Sequence, residues 1–248
     1  MRRFAFLVIA LTCAGCARGG ADDETRAIQL GIKQLRNRDP SVRWEAVETL
    51  GQIGSPAVPT LRSELAGRHI VIRREAARAL GRIGREAKPA LPELVQALKD
   101  LDDALRIAAV RAIGELGPDA AGAVEELVDA LKDSHAHVRA AGALALGRIG
   151  WPAREATPEL ITLLDDDDST ARSCAAWSLA RFGADAGEAV PRLVEIVERK
   201  VDPATIWAIR AIGRIGSAAK DAVPVLANIV DDKNDPHRAD AIDALGAI

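Results

Sequence analysis

Apolar residues recur at helical spacing, three or four positions apart, in successive runs from residue 27 to residue 248. Most of the longer runs end in a similar glycine-containing pentapeptide: LGQIG at 50–54, LGRIG at 80–84, IGELG at 113–117, LGRIG at 146–150, LARFG at 179–183 and IGRIG at 212–216. The last glycines are 30 residues apart once and 33 residues apart in each of the four later intervals. A constant period of this length predicts an array of repeated units, each burying its apolar face against its neighbours.

The recurring glycines predict helix ends rather than phosphate-binding loops, because six copies of a phosphate loop in one chain would serve no purpose. Each glycine follows a helical run, where a residue with a left-handed backbone commonly satisfies the last carbonyl groups of a helix. A second glycine column, which includes Gly51 and Gly81, predicts a close approach between neighbouring helices.

Two helices are predicted in each unit. The first helices align as segments such as AVPTLRSEL at 57–65 and ALPELVQAL at 90–98. Proline stands near the start of five of them, where its missing N–H costs nothing: Pro59, Pro92, Pro158, Pro191 and Pro224. The second helices resemble SVRWEAVETLGQIG at 41–54, and sustained strand-like alternation is absent from the sequence. We therefore predict an all-α fold, a right-handed α-solenoid of about seven two-helix repeats over residues 27–248.

One face of the second helices carries an arginine column that is broken only by Thr205: Arg43, Arg73, Arg106, Arg139, Arg172 and Arg238. These arginines share their helix face with apolar residues, so their charges need acceptors at the margin of the core. We expect a structural role in which they bind turn carbonyls or aspartates between repeats. Asp39, Asp102 and Asp168, four residues upstream, are the candidate acceptors.

The pattern Asp…Val-Arg…Ala…Leu-Gly-x-Ile-Gly, as in DPSVRWEAVETLGQIG at 39–54, resembles the short bacterial HEAT-like repeat. That repeat occurs in the phycobilin lyase group and in many envelope proteins, and the resemblance covers residues 24–248. The repeat type by itself says little about activity. We expect a non-catalytic scaffold that binds a protein or peptide partner on its concave side. The alternatives are a pigment-attachment enzyme like the phycobilin lyases or a chaperone-type accessory enzyme, and a purely structural element of the envelope.

The N-terminal stretch MRRFAFLVIALTCAGC has the basic start, short apolar run and small residues of a secretory signal. CAGC at 13–16 resembles the bacterial lipobox, although Cys13 stands where leucine is usual, and this resemblance predicts that Cys16 is lipidated. Residues 1–16 are then a signal peptide and residues 17–26 a flexible tether. The expected location is the cell envelope, as a periplasm-facing lipoprotein with the outer membrane favoured. Simple cleavage after Ala17 or Ala21, which gives a secreted protein, and an uncleaved segment are the alternatives.

Residues typical of catalysis or cofactor binding are scarce. The chain has no His-Glu pair, Gly-x-Ser-x-Gly motif or Walker-type lysine loop, so we predict no enzymatic activity and no cofactor. Helix capping explains His135, His137 and the acidic run Asp165–Asp168 better than a metal site does. Cys174 is the one thiol outside the signal, and we expect a packing role. A net charge of −3 gives no reason to expect nucleic acid as a partner.

The predicted binding surface lies on the second helices, at the positions two, five and nine residues after the arginine column. On a helical wheel these positions point away from the core, and in the HEAT family such helices line the concave side. They carry a basic and aromatic set of candidate partner-binding residues: Arg78, Arg82, Arg111, Arg148, Trp177, Arg181, Trp207, Arg210 and Arg214. Ala141 and Leu144 lie between them, and Glu75 and Glu115 are the chief acids in the stripe.

This stripe predicts a groove that binds an acidic protein or peptide. We expect the chain to be a monomer. Helix spacings of about 8–10 Å would spread it along roughly 32–40 Å. Trp177 and Trp207 are expected to be exposed, and arginine and tryptophan are enriched at binding hot spots. The alternative is that the arginines only solubilise the surface and pair with acids on the same helices, as Arg111 could with Glu115 four residues on.

The lipobox predicts that the chain expressed in a Gram-negative host partitions with membranes and that Cys16→Ser releases it. The physical reason is that acyl chains on Cys16 anchor the mature protein through burial of their methylene groups. Detergent phase partitioning of wild type and variant measures this, with Cys13→Ser as the matched control that retains the anchor. Unchanged partitioning of the Cys16→Ser variant would contradict lipidation at this residue.

Overall fold

A computed structural model describes residues 20–199 and 203–248. Fourteen α-helices occupy these residues: α1 Gly20–Gln34, α2 Pro40–Ile53, α3 Val58–Leu65, α4 Ile70–Ile83, α5 Leu91–Ala97, α6 Asp103–Glu115, α7 Val124–Ala130, α8 Ala136–Ile149, α9 Thr157–Leu163, α10 Ser169–Phe182, α11 Val190–Arg199, α12 Ala204–Ile215, α13 Val223–Asp231 and α14 Arg238–Ala247. Odd-numbered helices are the first helices of seven pairs and even-numbered helices are the second. No strand occurs in the described residues, and the predicted all-α solenoid is confirmed.

The chain divides into two compact units, residues 1–112 and residues 113–248, and the division falls inside α6. In the described part of the first unit, the core is formed by fully buried leucines such as Leu50, Leu61 and Leu80. The second unit has an equivalent core, in which Leu146 and Ile212 are buried. Each unit is thus a stack of helix pairs held together by apolar residues at repeat-equivalent positions.

The first helix begins earlier than the repeat period indicates. Helix α1 starts at Gly20 and therefore includes residues 20–26, which the sequence analysis assigns to the tether. Asp22 and Asp23 lie in its first turn, where negative charge interacts favourably with the helix dipole and extends the helix. Cys16 and the rest of residues 1–19 lie outside the described residues.

The second helices from α2 to α12 end where the sequence predicts, at or just before a glycine with positive φ. Gly54 has φ 78° and ψ −142°, and its N–H donates to the Leu50 carbonyl over 3.2 Å. Positive φ is confirmed, but this ψ places the residue outside the left-handed helical region that we expected. The conformation belongs to a region that is essentially restricted to glycine. It leads directly into a short 3₁₀ turn, Ser55–Ala57, which precedes α3.

Close approach between neighbouring second helices is also confirmed. A Cβ atom added to Gly213 on α12 would lie 2.9 Å from the Cα atom of Ala244 on α14. In the first unit, a Cβ atom on Gly81 would lie 3.1 Å from the Cα atom of Ala112. Backbone stands opposite backbone at both positions, so a larger side chain has no space to occupy. The five predicted prolines occupy the first turn of α3, α5, α9, α11 and α13.

The arginine column binds turn carbonyls and aspartates between repeats, as predicted. Arg139 donates to the Asp133 carbonyl over 2.9 Å and holds the Asp166 carboxylate with two bonds of 2.6 and 2.7 Å. Arg43 donates to the turn carbonyl of Asn37 over 2.9 Å, and Arg73 donates over 2.9 Å to the carbonyl of Leu65, the last residue of α3. These contacts connect the second helices that carry the arginine to the preceding helix or turn and, where an aspartate accepts, to the next turn.

The aspartates four residues upstream of the arginines have a different role from the one we expected. Asp39 and Asp168 cap α2 and α10 by accepting from the N–H groups of Ser41 and Thr170. The prediction that they serve the arginine column is wrong for these two, because their carboxylates face the unpaired N–H groups of the helix start. Arg139 instead reaches the aspartate two residues earlier in the next turn, Asp166.

We predict that Arg139→Gln lowers the free energy of unfolding by about 2 kcal/mol at neutral pH, since it strands a largely buried carboxylate. Hydrogen bonding from Arg139 holds the pKa of Asp166 below its usual range. A carboxylate whose pKa is lowered by folding stabilises the folded protein fully at pH values above its pKa in the unfolded chain, about 3.9 for aspartate. This stabilisation is lost as the pH falls through the lower pKa of the folded protein. The difference between wild type and variant should therefore shrink below about pH 4.

Urea unfolding followed by far-UV circular dichroism at several pH values measures this difference. The matched control is Arg199→Gln, which removes an exposed pair with Glu195 and should cost less than about 0.5 kcal/mol. A wild-type advantage that is the same at pH 3 and pH 7 would contradict the assigned role of the Asp166 charge.

Candidate partner-binding groove

A groove of about 530 Å³ lies across α10, α12 and α14 in the second unit. Five of the nine predicted partner-binding residues line it: Trp177, Arg181, Trp207, Arg210 and Arg214. Its other lining residues are small or acidic: Ala180, Gly213, Asp240, Asp243, Ala244 and Ala247. We call this surface the arginine–tryptophan groove. At Gly213 and Ala244 the backbones of α12 and α14 approach closely, and both of these small residues line the groove.

Both indole rings in the groove are half-buried. Trp177 leans across α8, and its Cζ3 atom would lie 2.6 Å from a Cβ atom added to Gly147. The missing side chain of Gly147 therefore makes room for this ring. The guanidinium of Arg181 lies 5.9 Å from the centre of the Trp177 ring, and that of Arg210 lies 5.0 Å from the centre of the Trp207 ring. Both distances are within the range of cation–π attraction.

The four predicted partner-binding arginines of the second unit fall into two groups. Arg148 pairs with Glu115 at 2.5 Å, and Arg210 pairs with Asp240 at 2.8 Å. Arg181 and Arg214 are exposed and form no ion pair with any residue that the structure describes. Two positive charges beside two indole rings are thus left without an acidic partner in the groove.

In the first unit, two of the three predicted binding arginines are neutralised. Arg78 pairs with Glu75 at 3.1 Å and Arg82 pairs with Glu48 at 2.8 Å. Arg111 is exposed, and within the described ranges it has no ion pair. The acid that the spacing offers to Arg111, Glu115, pairs with Arg148 instead. For Arg78 the pairing is with an acid on its own helix, as the alternative of a merely solubilised surface predicts, whereas Arg82 pairs with an acid on the adjacent helix α2.

Two expectations about exposure are wrong. Position two after the arginine column is buried in three repeats, at Glu75, Ala108 and Ala141, where the relative exposure is 5–7%. A wheel drawn for one helix does not include the adjacent helices that cover these residues. Trp177 and Trp207 are half-buried, whereas Trp44 and Trp151 are the exposed indoles at 64% and 63%. Trp151 stacks with Arg154, whose guanidinium lies 4.0 Å from the ring centre.

The other candidate side chains occupy structural positions. The Nδ1 atom of His135 accepts from the N–H of His137 over 3.3 Å and caps α8. In the acidic run, Asp165 pairs with Arg192 and Asp166 with Arg139, while Asp168 caps α10. No group of three metal-binding side chains is found within residues 20–199 and 203–248. None of the helices in that part of the chain has the length and apolar character needed to cross a bilayer.

Solved structures with a similar fold include natural and designed repeat proteins. An engineered protein is 23% identical with a TM-score of 0.65, covering 97% of this chain and 77% of its own. The Escherichia coli protein YibA is 17% identical with a TM-score of 0.64, covering 99% and 93%. The karyopherin Kap121p, bound to the extreme C-terminus of the phosphatase Cdc14p, is 12% identical with a TM-score of 0.70. The match covers 90% of this chain but only 29% of Kap121p.

A further similar structure is a computationally designed armadillo repeat protein described as made for modular peptide recognition. It is 21% identical with a TM-score of 0.53, covering 89% of this chain and 99% of its own. None of the curated proteins compared with the chain matches it. The model of the HEAT-repeat family matches residues 10–81, 28–96, 58–122, 91–154 and 124–208. The chain therefore belongs to the family of HEAT-repeat proteins.

Proposed function

We propose that this chain is a non-catalytic scaffold, exported and lipid-anchored, that binds an acidic segment of a protein partner in the arginine–tryptophan groove. The observation that carries this proposal is the combination of Arg181 and Arg214, which have no acidic partner among the described residues, with two half-buried indoles. A ligand that supplies carboxylates and some apolar surface would neutralise the two arginines and cover the two indoles.

The fold supports a binding role, because stacked helical repeats present extended surfaces that such proteins use for recognition. Kap121p is described in complex with a protein C-terminus, and the designed armadillo protein as made to recognise peptides. At identities below 25% these structures are similar in fold alone, so the choice of ligand rests on the groove itself. The lining of that groove consists of indole, guanidinium, carboxylate and small residues, which suit binding better than covalent chemistry.

Anchoring through Cys16 would place the groove on the periplasmic side of a membrane, within reach of envelope proteins. A monomer is the form that we propose, with no cofactor and no nucleic acid. The alternative, a pigment-attachment or chaperone-type enzyme, rests on the resemblance of the repeat to the phycobilin lyase type. Covalent attachment of a bilin to a client protein in the presence of this chain would favour that alternative.

We predict that oligoglutamate changes the fluorescence of the groove tryptophans in a saturable way. The chain has four tryptophans and no tyrosine, so Trp44→Phe/Trp151→Phe leaves Trp177 and Trp207 as the emitting residues. Binding should weaken as salt is added, because exposed charges are screened. In the same background, Arg181→Gln/Arg214→Gln should weaken binding about a hundredfold or more, since each of the two charged hydrogen bonds contributes roughly 1.5–3 kcal/mol.

The matched control is Arg199→Gln/Lys220→Gln, which removes the same charge from the second unit at two residues that do not line the groove. Oligolysine of equal length is the ligand control. Equal affinity of oligoglutamate for the two double variants, or equal affinity of oligolysine and oligoglutamate for the parent, would place the proposed function in doubt.

A further inference from the structure

We infer that the arginine–tryptophan groove recognises two carboxylates spaced three residues apart on a segment in the polyproline II conformation. This inference rests on the proposed function and adds to it the spacing and the backbone conformation of the ligand. It follows from the positions of Arg181 and Arg214 in the repeat, from the packing of their helices, and from the neutralised residues on either side.

Arg181 and Arg214 occupy equivalent positions on adjacent second helices, because they are 33 residues apart. Neighbouring second helices in this unit approach at small residues, as at Gly213 and Ala244, where an added Cβ atom would lie 2.9 Å from backbone. Ala180 and Ala211 hold the equivalent positions between α10 and α12. Packed helices lie about 8–10 Å apart, so the two arginines project from points separated by about that distance.

Polyproline II is the extended conformation whose side chains match this separation. It has three residues per turn and a rise of about 3.1 Å, so residues three apart share one face at about 9.3 Å. A β-strand repeats on one face every second residue, at about 6.6–6.8 Å, and then at twice that distance. One polyproline II turn therefore places two carboxylates opposite the two arginines, whereas neither strand spacing does so.

The groove is limited to two carboxylates by the charges at its ends. In the row of Arg181 and Arg214, the preceding equivalent residue is Arg148, which Glu115 already neutralises. The following equivalent residue is Ala247, and the nearby Asp243 is an exposed acid with no ion pair among the described residues. A third carboxylate at either end would thus meet a paired arginine or a negative charge.

The two indoles explain why the segment would be rich in proline. Trp177 and Trp207 line the same groove as the free arginines and present half-buried aromatic surface. Grooves lined by aromatic side chains favour polyproline II segments, since these are extended before binding and lose little conformational entropy. The remaining faces of the ligand then contact the rings, and Asp-Pro-Pro-Asp is the simplest sequence with the inferred character.

The test compares three peptides of equal charge with identical neutral flanks, in which two aspartates are spaced two, three or four residues apart with prolines between them. Titration of the full-length Trp44→Phe/Trp151→Phe chain should give affinity about tenfold higher for Asp-Pro-Pro-Asp than for the other two spacings. Arg214→Gln should abolish this preference, because one carboxylate loses its partner. Lys220→Gln, which changes an exposed charge outside the groove, should retain it.

Equal affinities for the three spacings would overturn the inference, and so would a spacing preference that survives Arg214→Gln. Binding of oligothymidylate that is as tight as binding of Asp-Pro-Pro-Asp and depends on the same arginines would also overturn it. Oligoglutamate separates this failure from failure of the proposed function, because it contains carboxylates at every spacing. Binding of oligoglutamate with no spacing preference rejects the inference alone. No binding of oligoglutamate or of any aspartate peptide rejects both.

Discussion

The close approach of neighbouring second helices is the constraint on which the rest of the structure depends. At Gly213 and Ala244 the backbones leave no room for a larger side chain, and Gly147 provides the equivalent space that Trp177 and Ser178 occupy. Similar close contacts are made at the equivalent glycines Gly81 and Gly114, so equivalent side chains fall into rows across adjacent helices. The arginine–tryptophan groove is formed by these rows.

Arginine has three different roles in this arrangement, which depend on its position in the repeat and on whether the adjacent helix offers an acid. At the margin of the core, Arg139 binds a turn carbonyl and Asp166, and so connects one repeat to the next. On the rows of the second helices, Arg210 is paired with Asp240 on the adjacent helix. Arg181 and Arg214 have no such acid among the described residues. The proposed binding site therefore lies where the internal pairing of charges stops.

Features that repeat along the chain were predictable from sequence, because the period reveals the shared position. The helix-ending glycines such as Gly54, the prolines at first helices and the arginine column are of this kind. Features that depend on the distance between helices were not predictable from the sequence. A helical wheel shows the direction in which Ala141 points from its own helix, but it does not show which neighbouring helix covers this residue. The pair between Arg148 and Glu115 spans 33 residues, so its formation depends on how adjacent repeats pack.

The most direct test of the account is a charge exchange between Arg214 and the ligand, measured as two binding cycles, one for each aspartate of the peptide, with six affinities in all. We expect Arg214→Glu to weaken binding of Asp-Pro-Pro-Asp and to strengthen binding of peptides in which either aspartate is replaced by lysine. The preferred replacement will show which carboxylate Arg214 holds, and a coupling of about 1.5 kcal/mol or more is expected for a direct charge pair. Additive effects, in which Arg214→Glu changes the affinity of all peptides by the same factor, would contradict recognition of a carboxylate by Arg214.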